Sequence, residues 1–368
     1  MSARFDIVVV GAGIAGASIA AELSPHASVV LLEAEDRPGY HSTGRSAAFW
    51  AESYGGPLVQ PLTTASGPWL AEHGFLGERG ALHIARNGQE PATEQFMAEF
   101  VAAGVDVQWR DREGLGASLS GLRQEWTHGV YEPSCQDIDV AGVHGWYLAE
   151  AGRAGVELRL RAGLREAEHG SGGWRLKLAN GAEIHCTTLV NAAGAWADPV
   201  AAIAGVSPLG ITPLRRTIVQ LRTVPAPSAS LPLVIDIGGQ FYFKPEHGRL
   251  WVSPHDETPI APSDVAPDEL DVAIAVDRLE HVVDWQVERV EHKWAGLRSF
   301  APDRLPVYGP DPKNPDFFWF AGQGGFGIQT SPAAARLAAQ ILLGHPADNL
   351  TSTLDRELYM ASRFARDN

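Results

Sequence analysis

A glycine motif between two buried strands constrains the fold of this chain more than any other feature. A strand pattern over Phe5–Val10 runs directly into Gly11-Ala-Gly-Ile-Ala-Gly16, and small and apolar residues then predict a helix over Ala17–Leu23. A second strand, over Ser28–Leu32, ends at Glu33, 22 residues after the first glycine. This order of strand, glycine turn, helix, strand and acid is the fingerprint of a dinucleotide-binding βαβ unit.

The glycines and the acid each have a physical role in such a unit. Gly11 allows the tight turn, Gly13 lets the backbone approach a pyrophosphate, and Gly16 lets the helix pack closely on the strand. The helix N-terminus offers unpaired N–H groups and a positive dipole end to the phosphates. Glu33 can accept hydrogen bonds from a ribose diol, and its charge argues against the 2′-phosphate of NADP. We therefore predict dinucleotide contacts at Gly11, Gly13, Ile14, Ala15, Gly16, Glu33 and Ala34.

The chain does not continue as a regular βαβ repeat after this unit. Residues 36–48 are polar, contain glycine and are rich in hydroxyl groups, so they can wrap a second phosphate or a flavin edge; a surface loop is the alternative. Residues 49–56 alternate bulky aromatic and small residues and end in Gly-Gly, a pattern typical of a mobile lid or of a packed turn. The contacts that we predict in this region are His41, Ser42, Thr43, Ser46 and Ala47.

The middle of the chain mixes helices and strands without an internal repeat. Periodicity predicts helices over Glu94–Ala103 and Val140–Arg153. Val156–Leu160, Trp174–Leu178 and Ala182–Cys186 are predicted to be strands of a small separate sheet.

A second strand–turn–helix pattern follows, and then a run of strands. Thr188–Asp198 contains an Ala-Ala-Gly turn and predicts a return of the chain to the nucleotide domain, with a helix beginning near Trp196. The strands predicted between residues 208 and 253 are not separated by crossover helices, which indicates an antiparallel sheet. Near the end, Asp316–Ala321 is predicted to be a buried strand that leads into the glycine-rich Gly322–Ser331 and a helix over Pro332–Leu343.

Composition excludes several classes of protein. Among 368 residues, 45% are hydrophobic and 20% are charged, as expected of an ordinary globular protein. The formal net charge of −15 disfavours sequence-independent binding to nucleic acid or to an anionic membrane. Cys135 and Cys186 cannot by themselves form a disulfide framework or a zinc site. We therefore expect a cytoplasmic protein with no membrane span, no nucleic-acid partner and no metal.

Segments spread over nearly the whole chain resemble one flavoprotein family, that of the D-amino-acid, glycine and sarcosine oxidases and dehydrogenases. They are GAGIAG with its acid, LVNAAGAWAD, and GLRSF followed by FAGQGGFGIQTS. Within the family, HSTGRSAA, an adjacent arginine pair, FYFKP, HKWAGLRSF and QGGFGIQTS are most similar to the D-arginine dehydrogenases.

The resemblance implies an α/β fold in which a Rossmann-like FAD-binding domain is interleaved with an α+β substrate domain built on an antiparallel sheet. The discontinuous FAD-binding domain would take residues 1–80, 140–207 and 290–368. The substrate domain would take residues 81–139 and 208–289. The FAD would be bound noncovalently, because the relatives that share HSTGRSAA do not attach it through the histidine of this region.

The resemblance also implies roles for single residues. Arg298 and Arg216 would hold the substrate carboxylate, while Arg215 would be structural or would face the cofactor. Tyr242 would be a further carboxylate ligand, and Tyr54 would contact substrate. Backbone N–H groups of the glycine-rich segment, opening a helix, would face the flavin edge that gains negative charge; a plain glycine turn is the alternative. The remaining predicted cofactor contacts are Ala193, Gly194, Trp196, Gly324, Gly325, Phe326, Gly327, Ile328, Gln329 and Thr330.

The chain departs from the D-arginine dehydrogenases where their substrate side chain binds. The glutamate that they present to the guanidinium falls on Ala81, and a histidine and a threonine fall on Phe49 and Ala51. Leu233 and Ile235 would line the same wall, so the pocket is predicted to be apolar. A desolvated guanidinium without a partner costs several kcal/mol, so apolar D-amino acids are the expected substrates unless Glu52 turns inward.

The expected function is FAD-dependent oxidation of a D-amino acid to the imino acid, with an electron acceptor that is oxygen, a quinone or a dye. An N-methyl amino acid, another secondary amine or a 2-hydroxy acid is an alternative substrate for the same carboxylate ligands. A non-catalytic nucleotide-binding subunit is the alternative from another class. Such a subunit would have no need of Arg298, Tyr242 and the glycine-rich turn together.

Overall fold

Two large β-sheets and one small sheet organise the chain, which a computed structural model describes over residues 3–365. The strands are β1 (Ala3–Val10), β2 (Val29–Leu32), β3 (Phe49–Trp50), β4 (Leu76–Glu78), β5 (Ala81–Arg86), β6 (Gln108–Asp111), β7 (Trp126–Glu132), β8 (Gln136–Ile138), β9 (Glu157–Arg159), β10 (Leu164–Gly170), β11 (Gly173–Leu178), β12 (Glu183–Asn191), β13 (Thr212–Val224), β14 (Leu233–Asp236), β15 (Tyr242–Glu246), β16 (Arg249–Ser253), β17 (Thr258–Pro259), β18 (Gln286–Phe300), β19 (Val307–Pro310), β20 (Phe317–Ala321) and β21 (Gln323–Gly324). The α-helices are α1 (Ile14–Leu23), α2 (Gln60–Glu72), α3 (Glu90–Ala102), α4 (Arg112–Ser118), α5 (Val140–Arg153), α6 (Ala197–Ile203), α7 (Glu269–Glu280) and α8 (Ser331–Leu343).

The first sheet carries the glycine motif and is built around β1. Strands β2 and β12 pair with β1 in parallel, and β20 pairs in parallel with β12. The side chains of β1 alternate between two hydrophobic cores, with Val8 and Val10 on one face and Ile7 and Val9 on the other. Burial on both faces explains why the sequence is a continuous apolar run rather than an alternating one. Helix α1 packs beside α5 and α8 over one face.

One predicted sheet does not exist as a separate unit. The strands predicted around residues 156–160, 174–178 and 182–186 are present as β9, β11 and the first part of β12. However, they belong to the first sheet, whose order is β10-β11-β12-β1-β2-β9. The reason is that β12 is one strand of nine residues, Glu183–Asn191, which pairs with β11 at its start and with β20 at its end.

The second sheet has the order β21-β18-β13-β16-β15-β14-β5-β7-β6. All pairs along this order are antiparallel except β14 with β5, so the prediction of an antiparallel sheet is confirmed. Strands β13 and β18 are its longest pair, with 13 and 15 residues. The mixed α/β fold class is therefore confirmed.

The glycine-rich segment before α8 differs from its prediction. Helix α8 begins at Ser331, so residues 325–330 form a turn and do not open the helix. Just before it, β21 pairs Gly324 with Ser299 and Gln323 with Phe300. This pairing joins the end of β18 to the glycine-rich segment, and it places Arg298 next to that segment.

The predicted division into two domains stays a prediction. The strands of the first sheet come from residues 3–32, 157–191 and 307–321, while the second sheet takes strands from residues 81–132, 212–300 and 323–324. The outermost residues of the predicted FAD-binding domain, 1–2 and 366–368, lie outside the described residues. Between residues 3 and 365, no helix has the length and apolar character needed to cross a bilayer.

Candidate active site

The glycine motif forms the turn that the fingerprint requires. Gly11 has a φ of +99°, and a Cβ atom there would lie 2.6 Å from a backbone carbonyl oxygen after β12. A Cβ atom on Gly16 would lie 1.7 Å from the carbonyl oxygen of Gly11, so only glycine permits this packing of α1. Gly13 is the N-cap of α1, and the N–H group of Ile14 donates to Oγ1 of Thr43 at 2.9 Å. The second loop thus touches the start of the helix.

Glu33 lies at the end of β2, where the fingerprint needs an acid. Glu33 is 9% exposed, and its carboxylate accepts hydrogen bonds from the N–H groups of Ala12 at 2.9 Å and Glu35 at 3.0 Å. These two bonds fix the carboxylate beside the glycine turn. The carboxylate retains lone pairs for the hydroxyl groups of a ribose.

A cavity of about 450 Å³ runs from this turn to the glycine-rich segment before α8. Ser299 lies on the wall of the cavity, and its hydroxyl oxygen is buried without a hydrogen-bonding partner among residues 3–365. This hydroxyl group is therefore available to a ligand in the cavity. The predicted residues that line the cavity are Gly11, Gly13, Ile14, Ala15, Glu33, Ala34, His41, Ser42, Thr43, Ser46, Ala193, Gly194, Trp196, Arg298, Gly324, Gly325, Gly327 and Ile328.

The other predicted residues do not line the cavity: Gly16, Ala47, Tyr54, Arg216, Tyr242, Phe326, Gln329 and Thr330. Phe326 packs in a hydrophobic core with Val59 and Phe300, and the hydroxyl group of Thr330 donates to its carbonyl oxygen at 2.9 Å. Ala47 packs against Phe49 and Tyr242. These residues shape the site from outside the cavity.

The wall also includes segments that the sequence patterns did not indicate. Ala162–Arg165 lines the cavity because β9, just before it, pairs with β2. Pro199, Val200 and Ile203 of α6 line it as well. Neither segment carries a glycine motif or a cluster of hydroxyl groups, so no local signal could have found them. By contrast, Gly39 and Tyr40 also line the cavity and lie inside the predicted loop of residues 36–48, although they were not among the contacts predicted there.

The loop of residues 39–46 is tied to both sheets. Nε2 of His41 lies 2.9 Å from a carboxylate oxygen of Glu35, and the imidazole packs on the indole of Trp196 with ring centroids 4.5 Å apart. The hydroxyl group of Ser42 donates to the carbonyl oxygen of Leu297 at 2.6 Å. The loop therefore bridges the first sheet and the β18 strand of the second.

The two adjacent arginines of β13 point to opposite faces, as the period of a strand requires. Arg215 donates to the carboxylate of Asp271 at 2.7 Å and so ties β13 to α7. Arg216 is 2% exposed, and it donates through Nε to the carbonyl oxygen of Asp256 and through Nη2 to the carboxylate of Glu257, each at 3.0 Å. Its Nη1 is buried and lacks a partner within the described part of the chain. Nε of Arg215 also lacks a hydrogen-bonding partner among residues 3–365, but it lies 3.5 Å from the carboxylate of Asp256. Arg215 therefore stands between two carboxylates in a structural role, whereas Nη1 of Arg216 has no carboxylate partner among those residues.

Arg298 lies on the same face as Arg216. Across β13 and β18, Arg216 pairs with Gly296 and Arg298 pairs with Leu214, so the two guanidinium groups stand on diagonal positions of one face. Arg298 is 6% exposed, and its Nη2 donates to the carbonyl oxygen of Arg45 at 3.0 Å. Burial lowers the pKa of Arg298, but an arginine in a protein keeps its charge.

Two tyrosines flank this pair of charges. Tyr242 is 6% exposed, and its ring lies against that of Phe49, which in turn packs on Tyr54 with ring centroids 4.9 Å apart. Burial raises the pKa of Tyr242 more than the charges of Arg216 and Arg298 lower it. The hydroxyl group therefore stays protonated and can donate a hydrogen bond to an anion between the arginines.

An apolar cluster lies beside the tyrosines on the face of the second sheet. The carboxylate of Glu52 accepts a hydrogen bond from the hydroxyl group of Thr64 on α2. The cluster consists of Ala47, Phe49, Ala51, Ala81, Cys135, Ile218, Leu233 and Tyr242, with Tyr54, Ile235, Trp251 and Trp294 packed against it. Phe49, Ala51, Ala81 and Leu233, which were predicted to form an apolar pocket wall, are members of the cluster, and the fifth predicted position, Ile235, packs against it.

The segment that could have been a lid is a packed turn. Ala51 is fully buried, and the side chain of Gln329 donates to the carbonyl oxygens of Ala51 at 3.3 Å and Tyr54 at 3.1 Å. The same amide donates to Oγ1 of Thr63 at 2.9 Å. Gln329, predicted to contact the cofactor, thus uses its side chain to fix the turn that carries Tyr54.

The residues present fit a flavin dinucleotide. The turn at Gly11 and Gly13, here called the glycine cradle, leaves room for a pyrophosphate, and Glu33 lies where the fingerprint places the acid that binds the ribose. At the far end of the cavity, Ser299 has an unpaired hydroxyl group, and Gly324 and Gly325 expose backbone beside Arg298. A long cavity with a phosphate cradle at one end and polar groups at the other matches FAD.

Comparisons with known proteins agree with this geometry. Among curated proteins, the hydrogen cyanide synthase subunit HcnC of Pseudomonas aeruginosa is 25% identical over 99% of this chain and 97% of its own length. The glycine oxidase of Geobacillus kaustophilus is 26% identical over 93% of this chain and 94% of its own length. The crystal structure of glycine oxidase from Geobacillus kaustophilus matches this fold with a TM-score of 0.82 at 22% identity, covering 96% of this chain and 100% of that one.

The family model described as FAD dependent oxidoreductase, DAO, matches residues 6–341. This range covers most of the chain and includes the glycine motif, both sheets and the two buried arginines. The chain therefore belongs to the DAO family of FAD-dependent oxidoreductases, and FAD is its cofactor.

Proposed function

We propose that this protein oxidises a D-amino acid with an apolar side chain to the imino acid, which water then converts to the 2-oxo acid and ammonia. The observation that carries the proposal is the buried pair of Arg216 and Arg298 on one face of the second sheet, beside the glycine-rich edge of the FAD cavity. Glycine oxidase, by its name, acts on an amino acid, which supports the substrate class. The D configuration rests on the motif resemblance.

Arg216, Arg298, Tyr242 and Tyr54 form what we call the carboxylate clamp. A guanidinium group binds a carboxylate through paired hydrogen bonds and keeps its charge at any working pH. Each arginine is already anchored by a backbone carbonyl oxygen, and Nη1 of Arg216 is free to donate. Glu257 pairs with Arg216 but also with Arg304, so the clamp keeps an excess of positive charge, which attracts a carboxylate.

The apolar cluster is the proposed pocket for the side chain of the substrate. Ala81, Leu233 and Ile235 offer no hydrogen-bonding side chain, and Glu52 is held by Thr64. A guanidinium or ammonium group placed there would lose its water without gaining a partner, at a cost of several kcal/mol. Burial of a leucine-sized side chain would instead be favourable by about 2 kcal/mol.

The side chains around the clamp prepare the substrate for oxidation. When bound, FAD supplies the acceptor for the hydride on Cα. The clamp fixes the carboxylate, and the apolar cluster fixes the side chain, which together orient Cα. Two nearby guanidinium charges also disfavour a protonated substrate amine, so the neutral amine that can lose hydride is favoured.

Three further properties are part of the proposal. FAD would be bound noncovalently, since His41 is engaged by Glu35 and Trp196. The FAD-binding and substrate domains would divide the chain as the motifs indicate. A cytoplasmic location would suit the two free, buried thiols of Cys135 and Cys186, because reducing compartments keep cysteines free.

Anaerobic flavin bleaching of the purified protein tests the proposal. The panel comprises D-leucine, D-phenylalanine, D-arginine, the L-enantiomers, N-methyl amino acids and 2-hydroxy acids. We expect apolar D-amino acids to bleach the flavin fastest and D-arginine to be poor. Bleaching only by N-methyl amino acids or 2-hydroxy acids would overturn the substrate class. Bleaching by none of the compounds would overturn the assignment of the clamp. Repeating the fastest reaction with oxygen, a quinone or a dye then identifies the electron acceptor.

A further inference from the structure

A buried carboxylate lies beneath the turn that carries Tyr54. Glu132 is the last residue of β7, and its side chain is 0% exposed. It pairs with Ala81 across β5 and β7, and opposite residues of an antiparallel pair point to the same face. The acid therefore stands at the edge of the apolar cluster, opposite the position where an acid for a cationic substrate is missing.

The oxygens of Glu132 are used by the neighbouring turn. One oxygen accepts hydrogen bonds from the N–H groups of Glu52 at 2.7 Å and Ser53 at 3.3 Å. The other carboxylate oxygen accepts a hydrogen bond from the hydroxyl group of Ser53 at 2.5 Å, and it lies 3.5 Å from Nε2 of the buried His83. Burial acts to raise the pKa of Glu132, but the hydrogen bonds and charge of His83 and the bonds from Ser53 hold it below its usual value. The group is therefore an ionised carboxylate inside the protein.

These bonds decide where the backbone before Tyr54 can lie. Two successive N–H groups, those of Glu52 and Ser53, converge on one carboxylate oxygen, which fixes both peptide planes. The next residue is Tyr54, whose hydroxyl oxygen reaches the glycine-rich segment at Gly325. A shift of the turn would move that hydroxyl group away from the segment.

We propose that Glu132 is a positioning residue that holds the turn of residues 51–54 so that Tyr54 completes the carboxylate clamp. The inference rests on the proposed function, in which Tyr54 binds the substrate carboxylate. It also assigns the one acid opposite Ala81 to the turn and not to a cationic substrate, because its oxygens already accept from the N–H groups of Glu52 and Ser53 and from the Ser53 hydroxyl group, with His83 at 3.5 Å.

Three variants test the proposal. Glu132→Leu removes every acceptor, whereas Glu132→Gln keeps one oxygen that can accept both N–H groups. Asp311→Leu is the matched control for Glu132→Leu, because Asp311 is also buried and accepts from the N–H groups of Lys313 and Asn314 and from Trp319, but directly after β19 of the first sheet. A general loss of stability would appear in the control as well.

The first measurement is amide hydrogen exchange of the FAD-loaded protein, which does not depend on catalysis. We expect residues 51–56 to exchange at least about tenfold faster in Glu132→Leu, to be largely restored in Glu132→Gln, and to be unchanged in Asp311→Leu. Unchanged exchange in Glu132→Leu would overturn the proposal, whatever substrate the enzyme uses.

The second measurement is anaerobic flavin reduction by D-leucine. We expect Glu132→Leu to raise the concentration for half-maximal rate about tenfold, with a smaller change in the limiting rate. Adding Glu132→Leu to Tyr54→Phe should cost less than about twofold more, because both changes remove the same contact. Additive losses, or a selective loss of D-arginine oxidation, would contradict a positioning role. If D-leucine failed to reduce wild-type protein, the proposed function would fall, while the exchange result would still decide the role of Glu132.

Discussion

The hydroxyl oxygen of Tyr54 lies 2.2 Å from the place where Gly325 would carry a Cβ atom. Two segments more than 250 residues apart in the sequence are thus fitted to each other at the edge of the FAD cavity. The contact couples the turn of residues 51–54 to the glycine-rich segment. It makes Gly325 a test of the role of Tyr54.

Gly325→Ala should displace the phenol ring without an unfavourable φ, since only the added methyl group meets the tyrosine. We expect the KM for D-leucine to rise about tenfold, as for Tyr54→Phe, with FAD still bound. Steady-state kinetics and the flavin content check this. Gly145→Ala, where a Cβ atom would meet nothing within 4 Å, is the control and should behave as wild type.

The arginine pair of β13 offers a matched comparison within one dipeptide. Arg216→Met should lower kcat/KM about hundredfold, because a charged hydrogen-bond donor to the carboxylate is lost. Arg215→Met should change kcat/KM only slightly and should lower the melting temperature, since Asp271 loses its partner. Equal kinetic losses in both variants would refute the assignment of Arg216 to the substrate.

Ala81 is predicted to make cationic amino acids poor substrates. Ala81→Glu should raise the ratio of kcat/KM for D-arginine to that for D-leucine by at least about tenfold, because a buried guanidinium gains an ion pair. Ala81→Gln, which has nearly the same size and no charge, should leave that ratio close to the wild-type value. An unchanged ratio in the glutamate variant would show that the substrate side chain lies elsewhere.

Noncovalent binding of FAD can be checked without a substrate. Precipitation of the protein with acid should leave all the yellow colour in the supernatant. His41→Ala should lower the affinity for FAD, because the imidazole packs on Trp196 in the cavity wall, but it should not change the fraction released by acid. Colour that stays with the precipitate would point to a covalent bond.

His255 gives the fold an acid-sensitive point. Burial, with a smaller effect of the Arg216 charge, lowers the pKa of His255 from 6.5 to about 4. Between these two pH values the unfolded chain binds a proton at His255 that the native state does not bind. Stability is therefore lost as the pH falls from about 6.5 towards 4, by up to about 3 kcal/mol from this group.

The variant His255→Asn tests this origin of acid sensitivity. Asparagine tolerates the positive φ of +54° at this position and does not titrate. Urea unfolding of the FAD-loaded protein at pH 7.5 and pH 5 should show a smaller difference in stability for the variant than for wild type. The same difference in both proteins would assign the acid sensitivity to other groups.

Local patterns in the sequence predict the nucleotide-binding part of the site well. Gly11, Gly13, Gly16 and Glu33 act through backbone geometry within one βαβ unit, so their spacing is sufficient to locate them. Arg215 and Arg216 can be separated as well, since neighbouring strand residues face opposite ways.

Contacts between distant segments were not predictable in the same way. β11 joins the first sheet only because β12 is one long strand, and the sequence does not show where a strand continues. Glu132 has no motif around it, and Gln329 was predicted from its motif to contact the cofactor. The observed roles of both side chains arise from the turn that passes between them. The wall at Ala162–Arg165 depends on the pairing of β9 with β2.

The first sheet also determines when during synthesis this protein can acquire its cofactor. β12 pairs with β1 on one side and with β20 on the other, and the cavity wall is completed only by residues 323–328. While the ribosome is still adding the middle of the chain, the glycine cradle has emerged but its far wall does not yet exist. A complete FAD cavity therefore forms only after nearly the whole polypeptide has been made, and until then the edge of β12 that pairs with β20 lacks its partner strand.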